Sequence, residues 1–288
     1  MRIAVTADLH WGIHAAGDAA TRLLVGELDA NPPDVLILAG DVGAADEFDP
    51  ALALFDGLDC RKALVPGNHD VWVADDDPRG DSLAVYQEYL PARSAAHGFH
   101  YLDHGPLIFD GIGLAVAGSM NWYDYTWADP AALAAAFPDW QDRLRTKQFT
   151  RGRHNDARFV HWPFDDRSFT ADAVAVFDRH LRAAEAAANV IVVTHHPPFR
   201  ALNFPRSGPP TPDSLLWDAF AGNQAMEDLL ARHDGRVPFA FCGHTHRARE
   251  GTLAGIRGYN VGSDYPYKRL LLLNWPAGTV SEQTFDVR

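Results

Sequence analysis

Apolar residues in this chain come in short blocks, and the blocks end alike. Ile3–Ala7, Val35–Ala39, Ala63–Val65, Val190–Val193 and Phe239–Phe241 carry β-branched or aromatic residues and are too short for a typical helix. That pattern predicts buried strands. Polar, chemically capable residues follow each block: Asp8-Leu9-His10, Gly40-Asp41, Gly67-Asn68-His69-Asp70, His195-His196-Pro197-Pro198 and Gly243-His244-Thr245-His246. In open α/β sheets the functional crevice lies beyond the carboxyl ends of the strands. Five strands therefore aim Asp, His and Asn at one region. If strand geometry persisted, residues two apart would share a side, bringing Asp8 with His10, and His244 with His246, to a common point. Gly40, Gly67 and Gly243 suit tight turns or close backbone approach there.

Helical spacing fills the gaps between the blocks. Thr21–Leu28 places Leu24 and Leu28 on one face. Thr170–Ala188 follows the N-cap candidates Ser168 and Thr170 and carries Val174, Phe177 and Leu181. Asn223–His233 carries Met226, Leu229 and Leu230. Strand and helix alternate without linker, repeat or low-complexity tract, which predicts one α/β domain over residues 1–288.

Composition narrows the chemistry. Apolar residues make up 47% and charged residues 22%, as in a soluble globular protein, and no stretch reaches membrane-spanning length. Only five residues separate Met1-Arg2 from Asp8, too few for a secretory apolar region, so the expected location is cytoplasmic. Cys60 and Cys242 make neither a disulfide framework nor a thiolate metal site, and Cys242, closing an apolar run, reads as a buried structural thiol. The net charge of −13 argues against a broad nucleic-acid-binding face. Bound cations would offset part of it.

The residues after the five blocks are carboxylates, an amide and imidazoles, with no thiolate. Mixed oxygen and nitrogen donors suit Mn, Fe, Zn or Ni better than Ca or Cu(I). Seven such side chains are too many for one tetrahedral ion and about right for two larger coordination spheres sharing a carboxylate. A pair of ions in that arrangement serves phosphoryl hydrolysis. Singly, each residue has an ordinary reading. Asp8 or Asp41 could cap or turn the chain, His195 could be a hydrogen-bonded core histidine, and Asn68 a turn residue. The ordinary reading must produce five ordered motifs by chance.

In this order, "DLH", "GD", "GNHD", "HHPP" and "GHTH" resemble the calcineurin-like metallophosphoesterase family, over residues 8 to 246. The resemblance implies a four-layer α/β/β/α sandwich of two mixed sheets flanked by helices. It implies two divalent or mixed-valence transition-metal ions. By matching position, Asp8, His10, Asp41 and His246 would hold one ion. Asp41 would bridge to the other, completed by Asn68, His195 and His244. His69 would stabilise or protonate the leaving oxygen, and Asp70 would orient its imidazole. Choosing His195 over His196 rests on the family pattern, since periodicity says only that one of the two faces the metals. Purple acid phosphatases differ by a glycine at the His10 position and a tyrosine where Ala44 stands, which argues against a coloured iron–tyrosinate site.

Residues around 119–169 form an insertion rich in aromatic residues and arginine. It reads first as a loop-rich segment with its own small aromatic core. The sharper reading makes it a substrate wall, with Trp122 and Arg153 as candidates, and Arg200 with the loop "NFPRSGPPTPDS" as a second wall. His14, His97, His100, His104, His180 and His233 match no motif and read as surface or structural. The expected function is therefore hydrolysis of a small or nucleotide-like phosphodiester by water activated between two metals, without nucleic-acid or membrane partners. The alternatives are a phosphomonoesterase, including a protein phosphatase, or a non-catalytic metal-dependent binding or sensor protein. Composition does not set the oligomeric state.

Overall fold

The computed structural model describes residues 1–206, 208–233 and 235–287. Its strands are β1 (Arg2–Thr6), β2 (Val35–Ala39), β3 (Arg61–Val65), β4 (Phe99–Tyr101), β5 (Leu107–Phe109), β6 (Leu114–Ser119), β7 (Asn189–Thr194), β8 (Phe239–Cys242), β9 (Arg249–Leu253), β10 (Ile256–Asn260), β11 (Tyr267–Asn274) and β12 (Thr279–Asp286). They form two six-stranded sheets, ordered β12-β11-β1-β2-β3-β4 and β5-β6-β7-β8-β10-β9. Both are mixed: β1–β4 run parallel, β11 runs antiparallel to β1, and β12 in turn runs antiparallel to β11, while β6, β7, β8 and β10 run parallel with antiparallel edges at β5 and β9.

Alternation along the strands builds the layers. Ile3, Val5, Val35, Ile37, Ala63 and Val65 face Val116, Ile191, Val193 and Phe241 in a core between the sheets. The opposite faces of the same strands, through Ala4, Leu36, Leu38 and Leu64, pack on Leu24, Leu28, Leu52 and Phe55. On the second sheet, Val190, Val192, Ala240 and Cys242 pack on Phe177, Leu181, Met226 and Leu230. Strands buried on both faces must read as continuous apolar runs, which explains why these five stood out. The result is the helix–sheet–sheet–helix order expected. Cys242 is fully buried, and burial raises its thiol well above the ordinary value.

The helix expected over Thr170–Ala188 runs instead from Asp166 to Ala183, because Asp165 is its cap: its carboxylate accepts from Ser168 N at 2.8 Å. Ser168 and Thr170 therefore lie inside the helix. Asn223 caps the helix Gln224–Ala231, accepting from Met226 N. Among the described residues no helix is long and apolar enough to cross a membrane.

The two sheets are tied at one point by Asp103, just after β4. It accepts from Met120 N, just after β6, at 2.9 and 3.0 Å, and from Tyr86 Oη at 2.7 Å. Burial raises its carboxyl to about 6 from an ordinary 3.8, against the lowering effect of those bonds. The folded state thus binds the proton more tightly than the unfolded one. The stability this confers is full below the unfolded value and is lost as pH rises through about 6. Asp103→Asn should therefore gain roughly 2 kcal/mol relative to wild type between pH 4.5 and 7.5. Urea unfolding at both pH values measures it, and an identical wild-type-to-variant difference at the two would refute the linkage.

Candidate metal centre

All seven expected ligand side chains converge where β1, β2, β3, β7 and β8 end. Asp8, His10, Asp41 and His246 bring one donor atom each to within 4.8 Å of one another, and so do His195, His196 and His244. Asp41 Oδ2 touches both groups, 3.6 Å from His10 Nε2 and 3.4 Å from His195 Nε2. Asn68 Oδ1 lies 3.0 Å from His195 Nε2 and 3.3 Å from His244 Nδ1.

Strand geometry does not persist to the ligands. Asp8, His10, Asp41, His244 and His246 all have positive φ, between 45° and 71°. Left-handed backbone is costly for residues with a side chain, and it clusters at functional sites. Its effect is to separate neighbours that alternation would bring together: His244 joins His195 and His196, while His246 joins Asp8 and His10. The expected common point for His244 and His246 is corrected accordingly. Gly243 allows this turn to press on Asp8, because a Cβ there would lie 2.7 Å from Asp8 Oδ2.

Several imidazoles are oriented by their other nitrogen, the usual arrangement for metal-binding histidines. His195 Nδ1 lies 3.0 Å from Ala39 O, leaving Nε2 toward Asp41 and Asn68. His246 Nδ1 faces Asp264 at 3.3 Å, leaving Nε2 toward Asp8 and His10. His196 Nδ1 lies 3.4 Å from Met120 O, and its ring centroid is 4.0 Å from that of His244.

The donor set fits cations. Asp8 Oδ2, His196 Nε2 and His244 Nε2 are buried with no hydrogen-bond partner. Such an orphan costs about 1–3 kcal/mol, which a bound ion would offset. Burial raises Asp8 from its ordinary value. Burial also opposes ionising Asp41, but His195 and His69 hold it well below the ordinary range. In the same way burial disfavours the His195 imidazolium, and Asp41 outweighs that and lifts it to about 9. With oxygen and nitrogen donors and no thiolate, the two groups of residues have the chemistry to hold metal ions.

His69 lines the mouth of the site, with Nε2 3.9 Å from Asp41 Oδ2 and its ring stacked on Trp72 at 3.6 Å. Burial lowers it to about 4. Asp70 does not orient it. The Asp70 carboxylate accepts from Gly67 N, Val42 N and Gly43 N at 2.7–3.1 Å, while His69 Nδ1 has no partner. Three buried amides, two from the loop after β2 and one from the loop after β3, require an acceptor, so Asp70 holds these two loops together instead. Burial raises it to about 7.

A cavity of about 620 Å³ opens from Asp41, Asn68, His69, His244 and His246 toward Phe149, Phe204 and Trp217. Arg153 lines it as expected, as do Phe204, Pro205 and Arg206 of the Pro-rich loop. Ser207 of that loop lies outside the described residues. Trp122 does not line it. It is fully buried, stacked on Tyr123 and donating to Asp166 at 2.8 Å, because the 119–169 segment packs its large rings inward. Arg200 does not line it either. Its guanidinium donates to Thr126 O and Trp127 O at 2.9 and 3.0 Å, clamping the segment in place.

Sequence reasoning missed Trp72, Tyr265, Asp156, Asp264 and His196. Only His196 had a local signal, as half of the "HHPP" doublet. Tyr265 packs on His10 at 4.6 Å, and Trp217 is 39% exposed at the cavity wall, 4.8 Å from Phe149.

Residues 1–248 match the family model described as calcineurin-like phosphoesterase. The chain belongs to that family. Phosphopantetheinyl hydrolase from Mycobacterium tuberculosis superposes with a TM-score of 0.69 at 21% identity, covering 92% of this chain and 89% of the other. A dimetal phosphatase from Danio rerio superposes with a TM-score of 0.56 at 12% identity, covering 100% and 99%. No curated protein has a matching sequence. At these identities the superpositions establish the fold, and the family establishes a metal-dependent phosphoester hydrolase.

Proposed function

We propose that this calcineurin-like phosphoesterase hydrolyses a small phosphodiester bearing a ring or other flat group. The observation that carries this reading is the cavity of about 620 Å³, which is lined at one end by Asp41, Asn68, His244 and His246 and also by Phe149, Phe204 and Trp217. A diester has a substituent on each side of phosphorus, so it needs room beyond the ions, and aromatic faces favour a planar group there. Arg153 and Arg206 on the same wall suit an anionic substrate, although Arg206 also pairs with Asp218.

In this reading Asp8, His10, Asp41 and His246 would hold one ion and Asn68, His195 and His244 the other, with Asp41 placed to serve both groups. Two bound ions, of Mn, Fe, Zn or Ni type, would acidify a water and neutralise charge on the attacking and leaving oxygens. Asp41 sets the spacing, His69 offers its ring N–H to the leaving oxygen, and Trp72 fixes the plane of that ring.

His69→Ala should keep both metals yet lower kcat about 10²-fold, most strongly for poor leaving groups. A uniform loss across leaving groups would remove His69 from that role. Trp217→Ala should raise KM for bis-p-nitrophenyl phosphate about tenfold with metal content unchanged. An unchanged KM would take the aromatic wall out of the substrate path.

The direct test compares bis-p-nitrophenyl phosphate with p-nitrophenyl phosphate, using protein stripped of metal and reloaded with Mn²⁺. Phosphopantetheinyl esters, the group named by the M. tuberculosis neighbour, belong in the same assay. Metal-dependent preference for diesters supports the proposal. Preference for the monoester moves the assignment to a phosphomonoesterase.

A further inference from the structure

The 119–169 segment sends one carboxylate beneath the metal centre. Asp156 is 1% exposed, in the short helix Asp156–Phe159. Its Oδ1 accepts from Asn68 Nδ2 at 2.9 Å, across 88 residues of sequence, and from Trp72 Nε1 at 2.8 Å. Its Oδ2 accepts from Tyr123 Oη at 2.8 Å and lies 3.2 Å from His154 Nδ1.

The two ends of an amide side chain have nearly the same shape and opposite chemistry. For Asn68 to serve as a ligand, its oxygen must face the imidazoles and its NH₂ must face away. Turned over, the amide would set oxygen against a carboxylate and offer hydrogens where a lone pair is needed. An ionised carboxylate only accepts, so the Asn68 amide can meet Asp156 only through nitrogen. That leaves Asn68 Oδ1 toward His195 Nε2 and His244 Nδ1. The same Asp156 oxygen fixes the indole of Trp72, on which His69 is stacked.

We propose that Asp156 is a positioning residue: by accepting from Asn68 Nδ2 and Trp72 Nε1 it orients the amide ligand of one metal and the ring supporting His69. This rests on the dinuclear reading above. It also gives the aromatic, arginine-rich segment a part in assembling the centre as well as in walling the cavity.

The test is Mn²⁺ binding to the metal-stripped full-length protein, by calorimetry with stoichiometry from elemental analysis. Wild type, Asp156→Ala, Asp156→Asn, Asn68→Ala and the Asp156→Ala/Asn68→Ala double variant are compared, with circular dichroism to verify folding. Wild type should bind two ions. Asp156→Ala should keep one site and lose roughly 10–100-fold in affinity at the other. Asp156→Asn keeps an oxygen for Asn68 and Trp72 and can turn its NH₂ to Tyr123 Oη, so it should stay within a few-fold of wild type. The double variant should bind no more weakly than Asn68→Ala, since residues acting through one group are non-additive.

Two ions bound by Asp156→Ala at wild-type affinity would overturn the inference alone, as would full additivity in the double variant. If Asp156→Ala does not fold, Asp156→Asn decides: retention of both ions supports orientation by the accepting oxygen, and loss of one shows that charge matters instead. A wild type that binds fewer than two ions defeats the dinuclear reading and this inference with it.

Discussion

Asp41→Asn is expected to lose metal and activity together, with kcat/KM falling by on the order of 10³-fold or more. Outer hydrogen-bond partners of metal ligands are worth about 10–100-fold, and Asp41 stands closer to the centre than those. Its Oδ2 is the atom that both ligand groups share, 3.4 Å from His195 Nε2 and 3.6 Å from His10 Nε2. Its Oδ1 accepts from His69 N at 2.9 Å. An asparagine must keep its oxygen toward that N–H, which turns its NH₂ into the shared position. The substitution thus removes a charge and replaces a lone pair by hydrogens at the one point common to both groups. Elemental analysis and kinetics on the same preparation measure it. A variant that keeps two ions and wild-type turnover would remove Asp41 from the bridge.

Gly67→Ala should be nearly as severe although it changes no ligand. A Cβ at Gly67 would lie 2.1 Å from Asp41 Oδ1, 2.4 Å from Asp41 N and 2.8 Å from Asp41 Cγ. One of these atoms is backbone, so the clash cannot be relieved by a rotamer change. The loop after β3 must move away from the loop after β2, and Asn68 and His69 move with it. Overpacking of this kind costs about 1–3 kcal/mol, which lowers Tm by roughly 5 °C in a chain of this size. The larger effect is on the centre, where weaker Mn²⁺ binding and a loss of about 10²-fold in kcat/KM are expected. Thermal melts of the metal-free protein and Mn²⁺ titration separate the two effects. A melt and titration like wild type would show that the loop tolerates the methyl.

The sequence alone was enough for the five strands and for the Asp, His and Asn residues that follow them and converge. Parallel strands covered on both faces must be apolar throughout, and a functional residue after such a strand needs no long-range information to be recognised. The other seven strands were not legible, for identifiable reasons. β4 and β5 have three residues each, β6 is diluted by alanine and glycine, and β12 is an edge strand with exposed positions throughout. Capping was misread at the helix Asp166–Ala183 because Asp165, Ser168 and Thr170 are all capable caps, and only the observed hydrogen bond selects Asp165.

Within the site, identity and direction separate in the same way. Which residue types gather was determined by the sequence, through five motifs each beside its own strand. Where each side chain points was decided by the tertiary structure. Left-handed turns at Asp8, His10, Asp41, His244 and His246 divide the candidate ligands into two groups, and Asp70 serves the backbone of its neighbours instead of His69. The contact of Asp156 with Asn68 had no local signal, because a hydrogen bond across 88 residues leaves no spacing to read. The 119–169 segment, read first as an insertion with its own small aromatic core and second as a substrate wall, buries Trp122 in its packing and offers Arg153 to the cavity, a choice made only when large rings compete for buried space. Short-range patterning thus determined the strands and the donors, and burial with hydrogen-bond satisfaction across distant segments decided their geometry.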